Sequence, residues 1–219
     1  MYSIAVLDDR NEQRTTLVRS IGTALPEGWR VVECPLLDDQ SAYSDWLIIN
    51  DVLVLVVDQV LNEQAVESVG NVDYKGHEVI EAIRKTFPDY PVFIVTAHPS
   101  DEDLADHAGN AEDVITRNEL TGDVRKYVAR MVRAGQRFHA EHERRLAEMT
   151  DLATKVALGN ASDDEKDELK RLQISLGAQR AATIDVTRED ALTGVDERVT
   201  RLEKLQREVE ALLPHTESR

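Results

Sequence analysis

A doubly wound α/β domain with a five-stranded parallel sheet, followed by an all-α helical extension, is the fold class that three features of this 219-residue chain predict. First, five short apolar runs are mostly continuous in Val, Ile and Leu, as strands buried on both faces of a parallel sheet read. Second, amphipathic stretches fill the gaps between them. The repeated β-α-β order winds helices over both faces through right-handed crossovers. Third, no strand-like run occurs after about Phe138, where Glu, Arg, Leu and Ala become frequent. The chain therefore divides into an α/β domain over residues 1–138 and a helical output or interaction region over 139–219.

Element by element, Tyr2–Leu7 is the first strand and Glu12–Ala24 the first helix. Trp29–Cys34 and Val52–Val57 are the second and third strands, and the third, being the most apolar, is expected at the sheet centre. Gly76–Thr86 reads as a helix, Val92–Thr96 as a strand, Asp101–Ala108 as a helix and Val114–Thr116 as the last strand. A long helix starts near Thr121, which is expected to cap it, and puts Val124, Tyr127, Val128, Met131 and Val132 on one stripe. No proline stops it before Gly159 and Asn160. Ser162 and Glu165 then form a capping box for a helix running to about Gly177. Further on, Val195, Val199, Leu202, Leu205, Val209 and Leu212 recur at spacings of three and four. Their stripe covers about three heptads, which leaves two arrangements open: a bundle within one chain, or a homodimeric coiled coil through the C-terminal helices.

The charge balance narrows the partners. There are 26 Lys and Arg against 42 Asp and Glu, a formal charge of −16, which disfavours binding nucleic acid through phosphate neutralisation. Both parts share the excess: 13 basic residues face 24 acidic ones up to Phe138, and 13 face 18 beyond it, so neither is a basic tail. Cys34 is the only cysteine, which excludes an internal disulfide and fits a reducing compartment. No apolar run approaches the roughly 20 residues that span a bilayer. A soluble, cytoplasmic protein without membrane contact is expected.

In doubly wound sheets ligands bind beyond the carboxyl ends of the strands. Four of the five apolar runs are followed by chemical residues: Asp8 and Asp9 after the first, Asp58 after the third, Thr96 and Ala97 at the fourth, Arg117 after the fifth. Three carboxylates at one sheet edge repel one another unless a cation sits among them, and an all-oxygen donor set suits octahedral Mg²⁺. An acceptor carboxylate, a hydroxyl and a fixed cation beside such an ion are what phosphoryl acceptance requires. Taken singly, the residues carry less: Asp9 could cap the helix near Glu12, and Arg117 could pair with Asp113 or Glu119. Cys34 reads as a buried small hydrophobe. His139 and His142, at helical spacing, read as a solvated face.

From about Tyr2 to Phe138 the chain resembles the receiver domain of two-component response regulators. That family has an acidic pair after the first strand, a phosphoacceptor Asp after the third, Thr or Ser followed by a small residue after the fourth, and Lys-Pro after the fifth. The resemblance implies a flavodoxin-like fold with Asp58 as phosphoacceptor. It implies Mg²⁺ held by Asp9, Asp58 and the backbone carbonyl of Val60, with Asp8 acting through water, while Thr96 moves to bond the phosphoryl group. It also implies a histidine kinase or phosphotransfer protein as donor, a downstream protein partner reached through the C-terminal helices, and no enzymatic activity beyond weak autodephosphorylation. Three departures stand out. Arg117 replaces the Lys, Asn118 replaces the Pro, and Val114 stands where an aromatic residue is usual. The loop from Asp58 to the next helix is also lengthened over Asn62–Lys75, which is expected to shape access or a partner contact. These departures keep open a pseudo-receiver, an adaptor or scaffold in which Arg117 pairs with Asp58 and fixes one state.

Overall fold

The computed structural model describes residues 1–64, 70–97, 99, 104 and 108–173. Apart from the helical Leu104 and from Ala108, which opens a 3-10 turn, the expected helix over 101–108 lies outside them, as does the stripe from Val195 to Leu212. The five predicted strands all form, as β1 (Tyr2–Leu7), β2 (Trp29–Cys34), β3 (Val52–Val57), β4 (Val92–Thr96) and β5 (Asp113–Thr116). All pairings are parallel and the order is β2-β1-β3-β4-β5, the flavodoxin-like doubly wound order. The apolar β3 is central, as its composition requires.

Two separate cores follow from the period-2 alternation of each strand. Ala5, Leu7, Leu55, Val57, Val92 and Ile94 face one side. There they meet α2 (Tyr43–Ile49) and α3 (Gly76–Thr86) through Tyr43, Leu47, Val79, Ile80 and Ile83. Ile4, Val6, Val54, Val56, Phe93 and Val95 face the other. That side is covered by α1 (Asn11–Gly22) through Leu17 and Ile21, and by a long later helix through Tyr127, Val128, Met131 and Val132. Helix α2 was not expected from the sequence; its seven residues are too few to display a periodic stripe.

The chain leaves β5 through a short helix, α4 (Arg117–Gly122), closed by a reciprocal box in which Thr116 Oγ1 accepts from Glu119 N–H and the Glu119 carboxylate accepts from Thr116 N–H. The long helix α5 (Val124–Ala157) starts afresh after it, capped by Asp123, whose side chain accepts from Lys126 N–H. Thr121 is therefore not the cap; its hydroxyl donates to carbonyls within α4. With 34 residues, α5 is about 51 Å long, and it runs unbroken through Phe138. It ends in a Schellman motif: Gly159, at φ 72°, donates to Val156 O and Asn160 donates to Lys155 O. The Ser162 and Glu165 box forms as expected. Residues 163–173 are helical and place Leu169 and Leu172 against Leu152 and Met149. No described helix is long and apolar enough to cross a membrane.

Gly135 sets how closely α5 approaches the sheet. A Cβ there would lie 2.8 Å from both Trp29 Cη2 and Val54 Cγ2. Gly135→Ala gains about 1 kcal/mol in helix propensity but overpacks two side chains at a cost of about 1–3 kcal/mol. A net loss of about 1 kcal/mol is expected in urea unfolding, whereas a stabilised variant would show that the helix can lift freely. Nearby, His139 and His142 are half-buried rather than solvated, His139 lying 5.0 Å from the Tyr2 ring and His142 stacked at 6.5 Å on Phe138. Cys34 is fully buried with its thiol pushed up by desolvation, as a small hydrophobe.

Candidate functional site

Each strand that ends at the carboxyl edge of the sheet delivers its last side chains there. Leu7 pairs with Val57 in register, so Asp8 and Asp58 leave neighbouring strands at the same height. Asp58 N–H donates to Leu7 O at 2.9 Å, tying the two strand exits together. Asp8, Asp9 and Asp58 are all buried, and one ligand atom from each lies within 4.8 Å of the others. Thr96, the last residue of β4, is fully buried two positions beyond Ile94, the partner of Val57. Ala97 after it is exposed, and Val60 is half-buried in the loop leaving β3.

Arg117, the first residue of α4, reaches into this acid cluster. Its Nη2 donates to Asp8 Oδ2 and to Asp58 Oδ2, each at 2.7 Å, and its Nη1 donates to Gln13 Oε1 at 2.6 Å. The residues proposed as its structural partners are engaged elsewhere: Asp113 pairs with Arg130, and Glu119 caps α4. Asp9 does not cap α1 either. Its Oδ2 accepts from Glu63 N–H and Gln64 N–H, at 2.9 and 2.8 Å, and Arg10 pairs with Glu63, so the start of the long loop is fastened beside the site. The end of that loop is fastened too: the Tyr74 hydroxyl lies 2.8 Å from that of Tyr43 and donates to Leu37 O.

Burial dominates the electrostatics. The Asp58 carboxyl is pushed up to about 6, by desolvation first, against the opposing pull of the Arg117 guanidinium and with a further push from Asp8. Asp8 is also raised, again by burial, with Arg117 and the Arg10 backbone N–H opposing. One guanidinium against three carboxylates leaves a formal excess of two negative charges.

The residues present fit a hard divalent cation. The three acids supply oxygen donors, their charge excess matches such an ion, and Asp9 Oδ1 is buried with no hydrogen-bond partner among the described residues, an orphan that is costly without a cation. The remaining carboxylate oxygens of Asp8 and Asp58 are each claimed by Arg117 or a backbone N–H.

Two residues that matter here were not singled out from the sequence. Gln13, 104 positions from Arg117, carries no local signal of that contact. Gly76 begins α3 against the strand exit, its N–H donating to Gln59 O at 2.9 Å. A Cβ on it would stand 2.2 Å from Asp58 O, so only glycine allows this approach.

No family model matches the chain, and no curated protein matches it. Solved structures with a similar fold include a response regulator, TrrA, from Thermotoga maritima in complex with Mg²⁺ and BeF, at 16% identity over 60% of this chain and 99% of that one, TM-score 0.44. A signal receiver domain of an HD domain-containing protein from Pseudomonas fluorescens is 16% identical over 65% of this chain and 92% of that one, TM-score 0.48. A pilus assembly-related protein from Burkholderia pseudomallei is 19% identical over 61% and 91%, TM-score 0.45. These likenesses are of fold, and receiver domains are among the proteins that share it.

Proposed function

We propose that the chain is a response-regulator-type signalling protein in which Asp58 accepts a phosphoryl group from a histidine kinase or phosphotransfer protein. The observation that carries this reading is the convergence of Asp8, Asp9 and Asp58 within 4.8 Å at the sheet edge, beside a cation and with an orphaned Asp9 oxygen. Asp8, Asp9, Asp58 and the Val60 carbonyl are the residues that would hold Mg²⁺. When bound, such an ion neutralises charge on the transferring oxygens.

The chain's own groups have separate tasks. One Asp58 oxygen bonds to phosphorus as the donor's phosphorus–nitrogen bond breaks, and the departing imidazole takes up a proton. Arg117 offsets charge on the phosphoryl oxygens, and the Thr96 hydroxyl donates a hydrogen bond to one of them. The region over 139–219 carries the response to a downstream protein, and the two-part division at Phe138 belongs to this reading. Nothing in the site calls for turnover beyond loss of the phosphoryl group to water.

Incubating the full chain with Mg²⁺ and acetyl phosphate should give a phosphoryl adduct by intact mass, mapped to the peptide carrying Asp58, and beryllofluoride should shift amide signals around Asp58 and Thr96. No adduct and no shift would remove the reading. One observation favours a second: Arg117 Nη2 already bridges Asp58 and Asp8, as expected of a pseudo-receiver scaffold held in one state. That reading predicts a chain inert to both reagents.

A further inference from the structure

The Arg117 guanidinium does more than sit near the acids: three of its five N–H groups are committed. Both Nη2 protons go to Asp8 and Asp58, and Nη1 goes to Gln13, while Nε is buried with no hydrogen-bond partner among the described residues. Gln13 lies in the first turn of α1, one residue past Glu12 and half-buried. The helix is held to the sheet by Leu17 and Ile21, not by Gln13. The amide of Gln13 therefore acts on the guanidinium through Nη1, while the carboxylates hold Nη2.

We infer that Gln13 is a positioning residue that holds Arg117 across Asp8 and Asp58 as a tethered counter-cation, and so sets the concentration at which the pocket takes up a divalent ion. This rests on the reading of the pocket as a divalent-cation site. The logic is competition. Asp9 Oδ1 is the one oxygen of the three carboxylates left without a hydrogen bond among the described residues. An incoming ion gains the other acids only as the guanidinium shares or yields them. With Gln13 in place, yielding also breaks the Nη1 bond, or bends it.

The test uses the full chain with Mn²⁺ as probe, its free concentration followed by electron paramagnetic resonance. Gln13→Leu keeps the helix propensity, with a side chain one bond shorter, and deletes the acceptor. It should bind Mn²⁺ roughly two- to tenfold more tightly than wild type, the range one hydrogen bond supports. In an Arg117→Lys background the same change should alter affinity by less than about twofold, since an ammonium lacks the fork that reaches Gln13 and both acids. A second readout does not depend on binding strength: the Arg117 Nη resonances of metal-free wild type should show hindered rotation that Gln13→Leu relieves. Equal Mn²⁺ affinity in wild type and Gln13→Leu, or an equal gain in the Lys background, overturns the tether alone. Failure of all four proteins to bind Mn²⁺ overturns the tether and the cation site together.

Discussion

Arg117→Met is expected to lose about 3–5 kcal/mol of folding stability in metal-free buffer at neutral pH, and millimolar Mg²⁺ is expected to return most of it. The loss follows from leaving buried charge uncompensated, which is costlier than the ion pair was ever worth. Asp8 and Asp58 are almost wholly buried and share the single Nη2 at 2.7 Å. Methionine fills much of the space and supplies no cation. The pH dependence has a definite sign. Burial raises Asp58 to about 6 and Asp8 also upward, so the folded chain keeps protons that the unfolded chain releases. The stability this contributes is in place below the ordinary carboxylate range and is lost as pH rises through about 6. Removing Arg117 enlarges the effect, so the deficit of the variant should shrink toward about pH 5 and below. Urea unfolding of both proteins, with chelator and with Mg²⁺, measures all of this. A divalent ion that binds only the folded state stabilises by mass action. Equal losses with and without Mg²⁺ would show that Arg117 braces the fold without counting as a charge in the pocket.

How much of this could be read beforehand depended on whether the cause was local. Four strands carry the bounds their apolar runs predicted and the fifth starts one residue earlier, because the central strands, buried on both faces, are apolar at nearly every position, while edge strand β2 keeps apolar Val31 and Val32 between exposed Arg30 and Glu33. The site residues were legible for a related reason: once the strands are placed, topology dictates that Asp8, Asp58, Thr96 and Arg117 share an edge. Elements without a periodic stripe were not legible. Helix α2 is seven residues, and α4 is a single boxed turn that displaced the expected cap from Thr121 to Asp123. Contacts made by reach were invisible as well. Gln13 meets Arg117 only because α1 begins directly behind the acid pair. The fastening of Asp9 Oδ2 by Glu63 and Gln64 likewise depends on the course the lengthened loop takes as it leaves β3.

Gly76 presents the other large effect, and it is steric. Gly76→Ala is expected to cost about 3 kcal/mol and to abolish beryllofluoride binding in the fraction that remains folded. The atoms a Cβ would meet are backbone: Asp58 O at 2.2 Å, Asp58 C at 3.0 Å and Gln59 Cα at 3.1 Å. A side chain can rotate away from an intruding methyl group, as Trp29 and Val54 can in part at Gly135, but a strand exit cannot. Either α3 lifts, unseating Val79, Ile80 and Ile83 from a close-packed core, or the peptide after Asp58 moves. The second route carries the Asp58 carboxylate with it, breaking the Gln59 N–H bond to Asp58 Oδ1 and the Gly76 N–H bond to Gln59 O. Gly122→Ala is the control, since a Cβ there meets nothing within 4 Å and φ is ordinary; it should unfold within about 0.5 kcal/mol of wild type. Urea midpoints for the three proteins, with amide shifts on adding Mg²⁺ and beryllofluoride, separate the routes. Lost stability with retained binding means that the helix moved and the Asp58 carboxylate stayed. Lost binding with little lost stability means that the strand exit gave way, which makes Gly76 a determinant of where the Asp58 oxygens stand.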